Sequence, residues 1–131
     1  ITVVDACGQS LPFDDESIDV VLMVTTICFL DDVDTTLSEI YRVLTKGGCV
    51  VIGFVDLESE LGQAYERHKA ENVFYRDARF FSSEQVAAHL ERAGLHDLEF
   101  RQTLFHGLDD PDTTVRPGHG EGAFVVVRAK K

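Results

Sequence analysis

The sequence predicts an α/β fold: part of an open, mainly parallel sheet carrying helices, with an antiparallel hairpin at its edge. Three observations carry this. Two apolar runs, Ile18–Val24 and Cys49–Val55, have lost the polar alternation of half-exposed strands, as strands buried on both faces do. Between them Val33, Leu37, Ile40, Tyr41 and Leu44 recur at i, i+4, i+7, i+8 and i+11, one face of a helix. Strand, helix and strand in the stretch from Ser10 to Val55 make a βαβ crossover, right-handed by default. Two late strands joined by a long polar loop supply the hairpin.

The elements follow in order. Ile1–Val4 reads as a short strand, and Asp5–Ser17, polar with Gly8 and Pro12, as a loop. Ile18–Val24 is the first central strand, and Thr25–Asp32 is the loop at its carboxyl end. Asp32 or Asp34 can cap the crossover helix. Arg42 and Lys46 fall in its last turn, and Gly47 suits the position just past its end. Ser59 can cap a second helix with Leu61, Ala64, Tyr65 and His68 on one face, ending near Glu71. Asn72–Phe81, rich in aromatic and arginine residues, is irregular. Ser82 and Gln85 spell a capping box, with Phe81 able to staple onto Val86. Val86, Ala87, Leu90 and Ala93 form that helix's apolar face, and Gly94 ends it. Phe81 is expected to be buried, and Phe80 to face a pocket or the helix around Tyr65. Leu98–Phe105 is a strand. Gly107–Gly122, rich in glycine, proline and acidic residues, is an exposed loop. Ala123–Ala129 is the last strand.

The 131 residues allow one domain with a real core. A formal charge of −11 argues against nucleic acid or an anionic membrane as partner, since both select a basic face. No apolar run approaches the roughly 20 residues of a membrane span, and no secretory leader is read. Cys7, Cys28 and Cys49 show no CxxC spacing and no zinc-like His pattern, so no metal site is expected. They read as buried free thiols in a reducing, cytoplasmic setting. The chain opens at Ile1 and its only methionine is Met23, from which an upstream N-terminal part is inferred.

Several strings together carry a resemblance. L-P-F-x-D-x-S-I-D-V-V begins at Leu11, and an acidic helix start follows. E-I-x-R-V-L-x-K-G-G begins at Glu39 and leads into a strand. In this order they resemble the second half of a class I S-adenosylmethionine-dependent methyltransferase, of the small bacterial group called type 11. The stretch NVFYRDARFFSSEQV and the later GEGAFVVVRA resemble one compact subgroup, whose members are labelled small-amine methyltransferases. The resemblance covers nearly all of the chain but only part of the family's domain. It implies an incomplete Rossmann-like sheet. Of the family order 3-2-1-4-5-7-6, residues 1–131 would supply strands 3 to 7 as one partial methyltransferase domain. The Gly-rich turn after strand 1 and the acidic residue ending strand 2, which hold the cofactor's methionine and ribose parts, are not among these residues.

The same resemblance places the chemistry beyond the carboxyl ends of the strands, in the loops Asp5–Leu11, Thr25–Leu30 and Asp56–Phe81. The family's G-[DT]-A-E-x-L-P-F stands here as A-C-G-Q-S-L-P-F. Cys7 falls where an acidic or hydroxyl side chain meets the adenine amino group, and a thiol is a poor substitute. Asp5 can compensate if the loop register shifts. Contacts to S-adenosyl-L-methionine are thereby implied at Asp5, Cys7, Gly8, Gln9 and Leu11, and at Met23, Val24 and Thr25. The methyl acceptor would meet Thr26, Phe29, Tyr65, His68, Tyr75 and Phe80, with Arg76, Arg79 and Phe81 also chemically suited. Thr25 and Thr26 read equally well as strand-end residues, and His68 as a helix-rim residue. No catalytic residue is named, because an activated sulfonium needs alignment rather than acid–base machinery. The implied function is methyl transfer to a small-molecule acceptor, with an amine suited to the negative charge. These residues alone would be inactive, and a homodimer could cover the open sheet edge. The alternative is a non-catalytic remnant of the fold acting as an interaction module.

Overall fold

A computed structural model describes residues 1–109 and 112–131; Asp110 and Pro111 of the expected loop lie outside the described residues. The strands are β1 (Ile18–Val24), β2 (Leu44–Val55), β3 (His96–Thr103), β4 (Arg116–Pro117) and β5 (Phe124–Lys130). The helices are α1 (Val33–Val43), α2 (Glu60–His68) and α3 (Ser83–Arg92). They form one sheet of order β1-β2-β5-β3-β4. β1 and β2 are parallel, and β5 runs antiparallel between β2 and β3. The expected crossover and edge hairpin are both present. Four of the strands reproduce the 4-5-7-6 end of the order the resemblance implied.

The apolar periodicities explain the layers. Val33, Leu37 and Ile40 of α1 and Val86 and Leu90 of α3 share one core with Val50, Ile52, Val125 and Val127. Strand side chains alternate, so both helices cover one sheet face. Complete burial of each Leu, Ile or Val there contributes about 1.5–3 kcal/mol. The opposite face carries Val20, Leu22 and Val24 of β1, which stay 58%, 67% and 50% exposed.

Local chemistry fixes the helix ends. Asp32 caps α1, its carboxylate accepting from the Thr35 amide at 2.9 Å. Ser59 caps α2, and the Ser82–Gln85 capping box starts α3 as expected. Phe81 and Val86 both lie in the core. Gly94, at φ +87°, turns the chain after α3.

Four expectations are corrected. Ile1–Val4 is exposed coil rather than a strand, since no described residue pairs with it. α1 stops at Val43, so Leu44 and Lys46 belong to β2, and Gly47 (φ +80°) serves a bulge in that strand rather than a helix end. The cause is sheet pairing: Leu44 is already extended and pairs with Ile18, and the register shifts before Val20 pairs with Cys49. The loop 107–122 is interrupted by β4, which pairs with β3. Finally, Cys7 is exposed and Cys28 and Cys49 are half-buried, all three free.

Candidate functional site

β1, β2 and β3 all run in one direction, so their carboxyl ends share one edge of the sheet. At that edge β1 ends in Thr25 at φ +50°, a left-handed conformation that costs a β-branched residue about 1–3 kcal/mol. The turn is tied down on both sides. The Thr25 amide donates to Gly53 O at 2.8 Å, and the Thr25 and Thr26 hydroxyls donate to Val24 O at 2.8 and 3.0 Å. A 3₁₀ turn, Ile27–Phe29, follows.

A small cleft opens beside Thr25. It is lined by Thr25, Ile27 and Cys28 after β1, by Phe54 and Val55 of β2, by Tyr65 of α2, and by Tyr75, Phe80 and Phe81. The three rings Tyr65, Tyr75 and Phe80 cluster. The two tyrosines stack at 4.9 Å between centroids, and Phe80 lies 6.0 and 6.1 Å from them. Burial, with the neighbouring Tyr75 phenol, pushes the Tyr65 hydroxyl above the usual tyrosine range. Burial likewise pushes the Cys28 thiol up, and its Sγ donates to Thr25 O at 3.5 Å. At neutral pH both groups are therefore protonated, and the cleft wall is uncharged.

Two structural devices hold the cleft together. Arg79 joins its two loops: its amide donates to Cys28 O at 2.8 Å and its guanidinium to Leu30 O and Asp31 O at 3.4 and 3.3 Å. Asp56, 3% exposed at the end of β2, accepts from the Glu58 amide (2.9 Å), the Ser83 amide (3.3 Å) and the Ser83 hydroxyl (2.5 Å). Its backbone carbonyl accepts from Ser59, and Leu57 donates to Phe81 O. One buried carboxylate thus links β2, the start of α2 and the start of α3.

The other expected residues scatter. Met23 lies in the core and Val24 on the open sheet face. Thr26, Phe29 and His68 are exposed and do not line the cleft, and His68 sits 3.8 Å from Glu71. Residues 5–11 form an exposed segment against α1. A turn closes from the Ser10 amide to Cys7 O at 3.0 Å, with Cys7 Sγ 3.7 Å from Gln9 Oε1 and Asp5 exposed. A Cβ on Gly8 would stand 3.1 Å from Thr36 Cγ2 and 3.9 Å from Leu30, so the turn packs closely on α1. The turn's backbone is exposed and Leu11 is half-buried; nothing among the described residues corresponds to a Gly-rich turn.

The expectations omitted Ile27, Cys28, Phe54 and Val55, and also the loop after β3. There Leu104 (φ +61°), Phe105 and His106 line a wider cleft with Ser59, Glu60 and Glu121. Arg116 stands 4.0 Å over the Phe105 ring. The shared direction of β3 and β2 was the available signal, because it carries that loop to the same edge.

Known proteins bear on this geometry. The profile of the family described as "Methyltransferase domain" matches residues 1–52. An uncharacterized protein of Methanocaldococcus jannaschii is 39% identical over 132 residues, covering all of this chain and 64% of the relative. A crystal structure from Thermotoga maritima is described as a SAM-dependent methyltransferase, "possible histamine N-methyltransferase". It is 46% identical with a TM-score of 0.95, over all of this chain and 64% of that one. A SAM-dependent methyltransferase of Archaeoglobus fulgidus shares the fold at 15% identity, with a TM-score of 0.65 over 91% of this chain and 62% of that one. The chain spans about two thirds of the length of these relatives. In fold and sequence the chain is similar to the class I S-adenosylmethionine-dependent methyltransferases. The matching profile is that of the type 11 group of methyltransferases, whose cofactor is S-adenosyl-L-methionine. No helix among the described residues is long and apolar enough to cross a membrane.

Proposed function

We propose that this chain forms the acceptor side and the adenine side of a methyltransferase acting on a small-molecule amine. The observation that carries the reading is the uncharged aromatic cleft at the end of β1. When bound, S-adenosylmethionine supplies a methyl group activated on a positively charged sulfur. The chain's own residues then have three tasks. Residues 7–11 offer backbone and Leu11 to the adenine. Thr25, beside the cleft, marks the junction between cofactor and acceptor. The rings of Tyr65, Tyr75 and Phe80 exclude water and take the acceptor.

An amine must shed its proton before it can accept a methyl group. An apolar cleft favours that step, because burial without a carboxylate partner disfavours the ammonium form. Ring faces then accommodate the positive charge that nitrogen carries after transfer, an interaction of about 0.5–2 kcal/mol. A cytoplasmic setting accords with the three free cysteines. The open edge of β1 and its exposed Val20, Leu22 and Val24 suit coverage by a second copy of the chain.

The test is a product screen with the full-length protein, S-adenosylmethionine and a panel of primary amines, phenols and carboxylates, read by mass spectrometry. Amines should be methylated, and Tyr75→Leu should raise the amine KM about tenfold with little change in thermal midpoint. Turnover confined to phenols or carboxylates would overturn the amine reading.

A further inference from the structure

The densest polar cluster outside the cleft lies in the second half of α1, at Glu39 and Arg42. Arg42 uses all three guanidinium nitrogens, on Glu39 and on the segment from Leu11 to Asp15. NH1 donates to Phe13 O at 2.9 Å and to Asp15 at 2.7 Å. NH2 donates to Leu11 O at 3.0 Å and to Glu39 at 2.9 Å, and Nε donates to Glu39 at 2.8 Å. Glu39 in turn accepts from the Leu11 amide at 2.9 Å. Both backbone polar groups of Leu11 are therefore held by side chains 28 and 31 residues further on.

This arrangement differs from an ordinary surface ion pair. The Glu39 side chain is 21% exposed and that of Arg42 33%, so the pair is partly withdrawn from water. A guanidinium fork that also grips two backbone carbonyls fixes direction as well as distance, which a lysine could not do. Glu39 and Arg42 lie three residues apart, hence on the same side of α1. The object they grip has no regular structure of its own: the turn before Leu11 is closed by one bond, Ser10 N to Cys7 O.

We propose that Glu39 and Arg42 are positioning residues for the cofactor. By clamping Leu11 they set the exposed turn at residues 7–10 at a fixed height against α1. The inference rests on the reading of residues 7–11 as the adenine-side loop. Neither side chain needs to touch the ligand. The pair acts by removing the freedom that the loop would otherwise lose on binding.

Calorimetric titration of the full-length protein with S-adenosylmethionine tests this. The variants are Glu39→Ala, Glu39→Gln and Arg42→Lys. Arg92→Lys is the control, since it replaces the guanidinium of an exposed ion pair from α3 to Asp34 (3.2 Å) by an ammonium, the same exchange at a site away from Leu11. Glu39→Ala and Arg42→Lys should each raise Kd about tenfold, with Leu11 amide exchange accelerating in parallel. Glu39→Gln should recover most of the affinity, because its amide oxygen still accepts from Leu11. Arg92→Lys should stay within about twofold. If Leu11 exchange accelerates while Kd moves no more than in Arg92→Lys, the positioning role is overturned and the adenine-loop reading stands. If the unmutated protein binds no S-adenosylmethionine, that reading fails and the positioning role falls with it.

Discussion

At Glu39 two donors converge on one carboxylate. The hydrogen bonds from Arg42, and next the Leu11 amide, lower its pKa from the ordinary 4.5 to about 2. A carboxylate depressed on folding contributes stability that is fully present above about pH 4.5 and is lost as pH falls through about 2. The expected outcome is a Glu39 side-chain carboxyl signal that titrates near pH 2 by NMR and moves toward 4.5 in Arg42→Met. A midpoint near 4.5 in the unmutated protein would show that the clamp does not form. Thr25 is the other residue whose local state matters. A left-handed threonine is held where β1 meets the cleft, and the bonds to Gly53 and Val24 are what hold it there.

At the scale of elements, α2 is the piece that closes the cleft, and its approach to β2 depends on Gly62. A Cβ at that position would overlap the Asp56 backbone carbonyl. Alanine favours a helix interior over glycine by about 1 kcal/mol. Here the overlap involves rigid backbone beside the buried Asp56 carboxylate, so relief requires α2 to shift. Gly62→Ala should therefore destabilise by about 1–3 kcal/mol by urea denaturation, against the sign of helix propensity. An increase in stability would mean that α2 rides loosely on β2.

At the scale of the molecule, one sheet face is covered by α1 and α3 while the other leaves Val20, Leu22 and Val24 open beside an unpaired β1 edge. Such an edge is a template for association. A protein of these 131 residues alone should self-associate at micromolar concentration by light scattering, and Leu22→Lys should reduce the effect. A stable monomer would refute this.

The sequence by itself determined the crossover, the hairpin and the caps at Asp32, Ser59 and Ser82. All of these depend on short-range signals: apolar period, capping chemistry and the order of strings from Leu11 to Gly48. Phe80 and Phe81 were also legible, because two adjacent phenylalanines in an arginine-rich stretch need cover. Only the tertiary structure decided where α1 stops, since pairing of Leu44 with Ile18 overrides a helical pattern that runs on to Gly47. It also separated Tyr65, which enters the cleft, from His68 on the same helix, which does not; a face read from period alone does not say which turn meets the sheet. The Arg42–Leu11 clamp and the Asp56–Ser83 link join residues 31 and 27 positions apart. No local pattern encodes such distances. They exist because the crossover lays α1 against the segment that leads into β1, and because β2 ends where α2 and α3 begin.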